Sequence, residues 1–333
     1  MIHRPGGEGP LPFVDAATLR RLVSPRAAVD ALEAVLASGQ APGRTPPRTA
    51  IEAEHGQVLL MPSEIGGWWG IKTVSIAPQN PAAGHPRIQG VYLLMDSATL
   101  TPQVLVDAVA LTNLRTPAVS ALALRYLRPG PVSRLLLYGS GPQALGHLEA
   151  VLAAGPVEQL TMVCRDLDRG AAALQRFRVG QPVELGACRV LSPADPAVPA
   201  ALGEAQVVVC ATTAREPLFD SSLLRPDACV IAVGSHEPTA REVDSALVAR
   251  ATVVVESRET AWREAGDLII PRRAGELSDD VPAGELADLV AGRVPQHRGR
   301  PRFFKSVGEA WQDLVVASLA AQLFLAEQRA TSG

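Results

Sequence analysis

Two different rhythms of apolar positions divide the chain near residue 130. Residues 14–39 repeat apolar positions at helical spacing. Residues 49–105 then hold short apolar runs separated by turns, with no helical segment between them. Strands that follow one another so closely predict an antiparallel sheet or meander. Residues 111–127 return to a helical pattern.

From Ser133 onwards the rhythm becomes strand, helix, strand, helix, with apolar runs such as RLLLYG, TMVC, VVVCAT, CVIAVG and ATVVVES. That alternation is typical of a parallel sheet flanked by helices. Residues 306–330 form a last helical pattern, which we expect to rejoin the first part of the chain. The prediction is an α/β fold, with a Rossmann-type parallel-sheet domain inserted between the two parts of an α+β domain. The predicted bounds are 129–305 for the inserted domain, and 1–128 with 306–333 for the other.

The composition excludes several classes of partner. The chain has 333 residues, of which 47% are hydrophobic and 20% charged, and its net charge is −3. Such a length predicts about two domains. Without a basic excess or a lysine/arginine block, we expect no nucleic-acid partner. The apolar stretch 314–326 is shorter than the ~20 residues of a membrane span. Since the first ten residues also lack the apolar core of a signal peptide, we expect a cytoplasmic protein without a membrane partner.

Cysteine and histidine spacing gives no sign of a metal or disulfide site. The chain contains no CxxC or HExxH pattern. We therefore expect reduced thiols and no bound metal. The cysteines are Cys164, Cys188, Cys210 and Cys229.

The stretch GSGPQA at 139–144 fits the G-x-G-x-x-A fingerprint of a dinucleotide-binding turn. Gly139 permits the tight turn, Gly141 lets a pyrophosphate approach the backbone, and Ala144 allows close helix–strand packing. The helix that follows would offer its free N–H groups and positive dipole end to the phosphates. Because the turn lies between a predicted strand and a predicted helix, we favour dinucleotide binding over a glycine turn without a ligand. The predicted contacts here are Gly139, Ser140, Gly141, Pro142, Gln143 and Ala144.

The end of the next strand bears on the choice of dinucleotide. An acidic residue there would bind the ribose 2′-OH of NAD, whereas an arginine would pair with the 2′-phosphate of NADP. The strand ends in Cys164-Arg165-Asp166. Arg165 could stack on the adenine and bind the phosphate, which favours NADP(H). Asp166 keeps NAD(H) as the alternative.

Three cationic residues are candidates for binding a carboxylate. Arg48 follows a double proline, and Arg115 lies near the start of the predicted helix, beside Thr112 and Thr116. Lys72 stands inside the apolar strand WWGIKTVSI. A buried lysine is costly unless it is paired or functional. Desolvation beside other cations would lower the Lys72 pKa towards the range of an acid/base catalyst.

Five segments together resemble the ornithine cyclodeaminase/mu-crystallin family over nearly the whole length. They are LLMPSEIGGWWGIKTVSIAPQNPAAGHPRIQG, LTNLRTPAVSALA, GSGPQALGHLEA, VGSHEPTAREVD and FKSVGEAWQDL. The resemblance implies a homodimer with a Rossmann domain. Its substrate and dimerisation domain would be completed by the C-terminal helix. It also implies a small α-amino or α-imino carboxylate substrate and a nicotinamide cofactor.

The resemblance extends to single residues. Arg48 and Lys72 match the family's contacts to the substrate carboxylate. Arg115 and Thr116 match positions near the substrate and the cofactor phosphates. The further cofactor contacts that we predict are Thr212, Val233, Gly234 and Ser235.

Departures from the family narrow the expected activity. Cyclodeaminases that convert ornithine to proline carry an acid in the strand before Met-Pro, where this chain has Leu59-Leu60. They also carry an aspartate after a Val-Gly-Gly run, where this chain has Val233-Gly234-Ser235-His236. Both acids are missing, which disfavours ornithine cyclodeamination and favours the ketimine reductases.

The expected reaction is hydride transfer from a nicotinamide cofactor to the C=N carbon of a cyclic imino carboxylate. Δ1-pyrroline-2-carboxylate would give proline, and Δ1-piperideine-2-carboxylate would give pipecolate. Lys72 and His236 are the candidate catalytic residues, since either side chain or a bound water could keep the imine protonated. The alternatives are another amino-acid dehydrogenase or cyclodeaminase of the family, or a protein that binds NADPH or a small ligand without turnover.

Overall fold

The structure is a computed structural model that describes residues 10–39, 46–180, 185–295 and 297–332. Backbone contacts divide the chain into two compact units. The split unit comprises Met1–Val119 and Gly308–Gly333, and the inserted unit comprises Ser120–Val307. The expected bounds were 128/129 and 305/306. The assignment of substrate binding and dimerisation to one unit, and of dinucleotide binding to the other, stays a prediction.

The first segment of the split unit carries two short helices and an antiparallel meander. Asp15 and Ser24 cap the helices, because their side chains accept hydrogen bonds from Thr18 N and Ala27 N. Within the described residues, six strands pair in the order β1-β6-β5-β4-β3-β2, all antiparallel except β1 with β6. The elements are β1 (Phe13–Val14), α1 (Ala16–Leu22), α2 (Pro25–Ala37), β2 (Thr49–Ala53), β3 (Gly56–Ile65), β4 (Trp68–Ile76), β5 (Ile88–Asp96), β6 (Pro102–Asp107) and α3 (Ala108–Leu127).

Alternation along β4 decides which side chains enter the interior. Trp68, Gly70, Lys72 and Val74 are buried, and the residues that alternate with them are partly exposed, as the two-residue period of a strand requires. Lys72 lies opposite Tyr92 of β5. The lysine therefore projects from the buried face of the sheet.

The inserted unit is a doubly wound α/β structure. Its strands, as far as the described residues show, form one parallel sheet of eight in the order β13-β12-β14-β11-β10-β7-β8-β9. The elements are β7 (Arg134–Tyr138), α4 (Pro142–Leu152), β8 (Val157–Val163), α5 (Leu167–Gly180), β9 (Leu185–Leu191), α6 (Val198–Glu204), β10 (Val207–Cys210), β11 (Cys229–Ala232), α7 (Ser245–Arg250), β12 (Thr252–Val255), α8 (Arg258–Glu264), α9 (Gly266–Arg273), β13 (Gly284–Glu285), α10 (Leu286–Val290) and β14 (Arg302–Lys305).

The strand order confirms the predicted fold class and locates the binding edge. Strands β7 to β9 run outward in one direction from β7, and β10 and β11 run outward in the other. Ligands of such sheets bind at the carboxyl ends of the strands where the order reverses. In this chain that point lies between β7 and β10, beside the turn that begins at Gly139.

The last helix, α11 (Ala310–Ser332), returns to the split unit and packs on β3, β4 and α2. Its first turns are buried, including Trp311, Leu314 and Val316. In the part of the chain that the structure describes, no helix combines the length and the apolar character that crossing a membrane needs.

Candidate active site

A buried ion pair lies at the centre of the split unit. The Lys72 ammonium is 2.7 Å from Asp313 Oδ2, and the two side chains are 3% and 0% exposed. Lys72 comes from β4 and Asp313 from the first turn of α11. Thr112 Oγ1, on α3, lies 3.4 Å from the same ammonium. The sheet, α3 and α11 thus each contribute one polar group.

Two arginines complete this cluster. Arg115 Nε donates to Asp313 Oδ1 at 3.0 Å, and its Nη1 donates to Gln312 Oε1 at 2.8 Å. Arg48 Nη2 donates to the carbonyl of Gly308 at 2.8 Å. Gly308 has φ +84°, and a Cβ there would lie 2.9 Å from Arg115 Nη2. A glycine is therefore needed where the two guanidinium groups approach the backbone.

The cluster brings an ammonium and two guanidinium groups close to the Asp313 carboxylate. Burial, Arg115 and Arg48 lower the Lys72 pKa and Asp313 raises it, and the net result is a pKa of about 8. The Tyr92 hydroxyl, which no described residue hydrogen-bonds, is fully buried, and its pKa is raised by that burial and by Asp313. Guanidinium and ammonium groups gathered in this way suit a carboxylate ligand.

The structure brings Arg48, Lys72 and Arg115 together, as the sequence suggested, but with a partner that sequence reasoning missed. Lys72 was expected to be a lone ammonium in an apolar strand, and Asp313 pairs with it. The signal was an acid within the apolar start of the last helix, in the stretch AWQDL, which resembles an ordinary first-turn acid. Arg115 lies in the third turn of α3 rather than near a helix start, because the helix already begins at Ala108.

The glycine turn of the inserted unit has the shape that a dinucleotide needs. Gly139 adopts φ +110°, and a Cβ there would lie 2.6 Å from the Ala211 carbonyl oxygen. A Cβ on Gly141 would meet no atom within 4 Å, so its backbone is open to a ligand. Pro142 begins α4, and Ala144 is fully buried against the sheet. The open backbone in front of a helix N-terminus fits a pyrophosphate.

The two remaining predicted contacts of this turn, Ser140 and Gln143, lie against other residues of the inserted unit. Ser140 lies beside the thiol of Cys164, which is buried at the end of β8. Gln143, in the first turn of α4, accepts a hydrogen bond at its carbonyl from His147 Nδ1 at 2.7 Å. His147 is buried and its other nitrogen lies 2.8 Å from Ser120 Oγ, so it packs inside the unit. Burial lowers its pKa to about 4.

Arg165 and Asp166 follow β8 on the same edge of the sheet, and both are exposed. The Asp166 carboxylate accepts a hydrogen bond from Arg169 N at 2.9 Å, in the first turn of α5. This contact gives Asp166 a role as a helix cap. The Arg165 side chain is exposed beside it.

Two of the predicted cofactor contacts after β10 and β11, Thr212 and Gly234, are hydrogen-bonded to the buried carboxylate of Glu242. Thr212 N and Oγ1 both donate to Glu242 Oε1 at 2.8 Å, and Gly234 N donates to Glu242 Oε2 at 2.7 Å. Ser235 is 4% exposed, and its hydroxyl donates to the Ala240 carbonyl at 2.6 Å. Ligand contacts from Thr212 and Ser235 would therefore come from backbone atoms or from the threonine methyl group.

Three other predicted residues have different surroundings. Val233 N donates to the Cys210 carbonyl, which continues the sheet pairing beyond β11. Thr116 is 8% exposed on α3, directly after Arg115. The His236 side chain is exposed in the loop after β11. Among the described residues, no group of three or more histidines, cysteines, aspartates or glutamates could hold a metal ion, and the four cysteines are free thiols.

The parallel sheet with its glycine turn makes the inserted unit a Rossmann-type domain, and the split unit adds a buried cationic cluster. Residues 14–326 match the model of the ornithine cyclodeaminase/mu-crystallin family. The chain belongs to that family, which confirms the resemblance seen in the sequence.

Relatives at about one-third identity cover most of the chain. A Delta(1)-pyrroline-2-carboxylate reductase of Bacillus cereus is 34% identical over 271 residues, which are 79% of this chain and 80% of that protein. A Delta(1)-pyrroline-2-carboxylate/Delta(1)-piperideine-2-carboxylate reductase of Azospirillum brasilense is 32% identical, over 96% of this chain and 98% of its own. A solved structure of the Thermococcus litoralis Delta(1)-pyrroline-2-carboxylate reductase with NADH and L-proline superposes with a TM-score of 0.86 and 29% identity, covering 96% of this chain and 98% of that one.

Proposed function

We propose that this protein is an NAD(P)H-dependent reductase of small cyclic imino carboxylates, which converts Δ1-pyrroline-2-carboxylate to proline and Δ1-piperideine-2-carboxylate to pipecolate. The observation that carries the proposal is the cluster of Lys72 and Arg115 on the buried Asp313, with Arg48 beside it on the Gly308 carbonyl. Three cationic side chains in one place suit a substrate with a carboxylate. The similarity to reductases of these imines supports the same substrates.

The residues of the cluster have different roles in substrate binding and proton transfer. Arg48 and Lys72 bind the substrate carboxylate, and Arg115 holds Asp313 in place for Lys72. With a pKa of about 8, the Lys72 ammonium is mostly protonated at neutral pH and still able to exchange its proton. The imine nitrogen must carry a proton for C2 to accept a hydride. Lys72, His236 or a water molecule supplies that proton, and a bound nicotinamide supplies the hydride.

NADPH is the cofactor that the inserted unit favours. Arg165 is exposed directly after β8, where an adenosine 2′-phosphate would lie. The Asp166 carboxylate is engaged as the cap of α5 and competes poorly for a ribose hydroxyl. The Thermococcus litoralis relative was solved with NADH, so NADH is the alternative cofactor.

A homodimer through the outer face of the six-stranded sheet is part of the proposal. Trp69 and Ile71 on β4, and Leu93 and Met95 on β5, alternate with the buried residues and are partly exposed. A contiguous apolar surface of this kind is typical of a protein interface. Sedimentation analysis should give twice the chain mass, and Leu93→Arg should give a monomer. A monomeric unmodified protein would refute this part.

The activity is tested with four substrate sets. Oxidation of NADPH and NADH is followed with each of the two cyclic imines and with pyruvate plus ammonia. Formation of proline and ammonia is followed with L-ornithine plus the oxidised cofactor, because cyclodeamination leaves the cofactor unchanged overall. We expect kcat/KM for a cyclic imine to exceed that for pyruvate with ammonia by at least tenfold. Conversion of ornithine to proline with release of ammonia would instead identify a cyclodeaminase. Cofactor binding without turnover of any set would identify a binding protein.

A further inference from the structure

A second buried cluster of charges, apart from the first, lies at the carboxyl edge of the parallel sheet. Glu242 and Asp267 are 0% exposed, and Lys305 is 1% exposed. Asp267 Oδ1 accepts hydrogen bonds from the backbone N–H groups of Glu242 and Val243, at 2.7 and 3.0 Å. Its other oxygen is 2.7 Å from the Lys305 ammonium. Burial of three ionisable groups is costly, so the arrangement calls for an explanation beyond packing.

Lys305 reaches past its ion pair to the backbone of the loop after β11. Its ammonium donates to the carbonyl of Ser235 at 2.7 Å. A trans peptide is planar, and its C=O and N–H groups point in opposite directions. Because the Ser235 carbonyl points to the buried ammonium, the N–H of His236 is directed away from it. Lys305 therefore sets the orientation of the Ser235–His236 peptide.

The same cluster also ties the loop after β11 to the loop after β10. Glu242 holds Gly234 N and Thr212, and Asp267 in turn holds Glu242 N. A Cβ on Gly234 would lie 2.0 Å from the Thr212 carbonyl oxygen, so the two loops are in close contact. They follow β10, which lies next to β7 and its glycine turn, and β11, which lies next to β10. In a Rossmann domain this position lies on the nicotinamide side of the pyrophosphate.

We propose that Lys305 is a positioning residue. By donating a hydrogen bond to the Ser235 carbonyl, it holds the 233–236 loop in the conformation that receives the nicotinamide end of the cofactor. The inference rests on the proposed use of a nicotinamide cofactor. It is independent of the choice of imine, because every residue involved belongs to the inserted unit.

The test compares the binding of NADH with that of ADP-ribose, because both contain the adenosine and the two phosphates. NADH carries the nicotinamide, and ADP-ribose lacks it while keeping the adenosine and both phosphates. For Lys305→Met we expect NADH to bind at least tenfold more weakly, which corresponds to about 1.4 kcal/mol, with ADP-ribose affinity changed less than threefold. Arg302→Met is the matched control. It removes another cation of β14. Arg302 lies at the opposite end of that strand from Lys305, and its side chain donates to the Asp227 carbonyl. The control should leave the ratio of the two affinities unchanged.

A double variant separates positioning from charge balance. Lys305→Met alone leaves the Asp267 carboxylate buried without its cation, which lowers the unfolding free energy. In Asp267→Asn/Lys305→Met the charge is removed, and the asparagine oxygen can still accept from the backbone of Glu242 and Val243. We expect the double variant to regain thermal stability but not NADH affinity, since the Ser235 carbonyl still lacks its donor.

Three outcomes would overturn the proposal: a double variant with NADH affinity equal to the unmodified protein, equal losses of NADH and ADP-ribose affinity in Lys305→Met, or a double variant that does not fold. The first two would make Lys305 a counter-ion or a general structural residue, and the third would make it essential to the fold. An unmodified protein that binds NADH but reduces no imine would refute the proposed substrate and leave this test intact. An unmodified protein that binds no nicotinamide cofactor would refute both.

Discussion

Replacing Asp313 with asparagine tests whether one carboxylate sets the protonation of the cationic cluster. The change keeps the shape of the side chain and removes its charge. Asp313 lies 2.7 Å from the Lys72 ammonium and 3.0 Å from Arg115 Nε, and it is fully buried. With an effective dielectric constant of about 20, opposite charges 2.7 Å apart attract by about 6 kcal/mol.

The protein and solvent relax around these charges and weaken the attraction. A small part of it is still enough to change the pKa of Lys72. A quarter of it already equals about one pKa unit, since one unit corresponds to about 1.4 kcal/mol. In the unmodified protein the Lys72 pKa is about 8, with Asp313 raising it against burial. Removing the carboxylate leaves burial and the two arginines, which all lower the pKa. Asp313→Asn should therefore bring it down by at least one unit.

The assay is the pH dependence of kcat/KM for Δ1-piperideine-2-carboxylate. Protonated Lys72 binds the carboxylate, so activity should fall as the pH rises through about 8 in the unmodified protein. In Asp313→Asn the same fall should occur near pH 7 or below. Glu327→Gln is the matched control, because it makes the same chemical change further along α11, in an exposed pair with Arg21. Its profile should match that of the unmodified protein.

Stability gives a second readout with a defined sign. Removing one partner of a buried ion pair costs about 3–5 kcal/mol of unfolding free energy. Unfolded Lys72 titrates near its ordinary 10.5, above its folded pKa, so the unfolded state binds more protons between the two values. The unfolding free energy of the variant should therefore rise with pH over that window. Its deficit relative to the unmodified protein should shrink only between the two folded pKa values, because above about pH 8 both proteins gain stability at the same rate. If kcat/KM of Asp313→Asn still falls at about pH 8, the reasoning is refuted, and the fall in activity belongs to the titration of another group.

Three other predictions concern single residues. Lys72→Ala should lower imine turnover by at least ~10²-fold while NADPH binding, followed by fluorescence titration, stays nearly unchanged, and Lys72→Arg should not restore turnover. The unmodified protein should bind NADPH several-fold more tightly than NADH, and Arg165→Ala should narrow or reverse that preference; tighter NADH binding in the unmodified protein would contradict it. Gly141→Ala should keep its melting temperature but lose at least about tenfold in cofactor affinity, because a Cβ there meets no protein atom within 4 Å and would occupy the ligand's approach. Gly139→Ala should lose both, since its Cβ would lie 2.6 Å from the Ala211 carbonyl oxygen; equal melting temperatures for the two variants would refute this distinction.

The sequence predicted the fold class because its signals are local. Short apolar runs separated by turns identified the meander, and the repeat of strand and helix from Ser133 identified the parallel sheet. Strand β9 (Leu185–Leu191) and helix α6 (Val198–Glu204) were not anticipated, because the strand LGACRVL is interrupted by a glycine and an arginine and partly exposed, and the helix is only seven residues long. Short elements give too few positions for a period to be recognised.

The candidate site was predictable only as far as its residues stand out locally. A lysine within an apolar strand is unusual by itself, and so Lys72 was identified. Asp313 and Lys305 are not unusual by themselves, since a first-turn acid and a strand-terminal lysine are common at a protein surface. Their burial results from contacts with residues far away in sequence, such as the 241 positions between Lys72 and Asp313. No pattern within one segment reports such a contact.

That sequence separation has a consequence for synthesis of the chain. At roughly 5–20 residues per second, the ribosome needs roughly 10–50 seconds to add Asp313 after Lys72. During that interval the emerging chain holds Lys72, and later Arg115, without the Asp313 carboxylate that pairs with both. Residues 120–307, in contrast, contain every strand of their own sheet and can fold while the chain is still growing. We therefore expect a chain truncated before residue 310 to contain a folded dinucleotide domain attached to an unfolded meander, which chaperones and proteases would recognise.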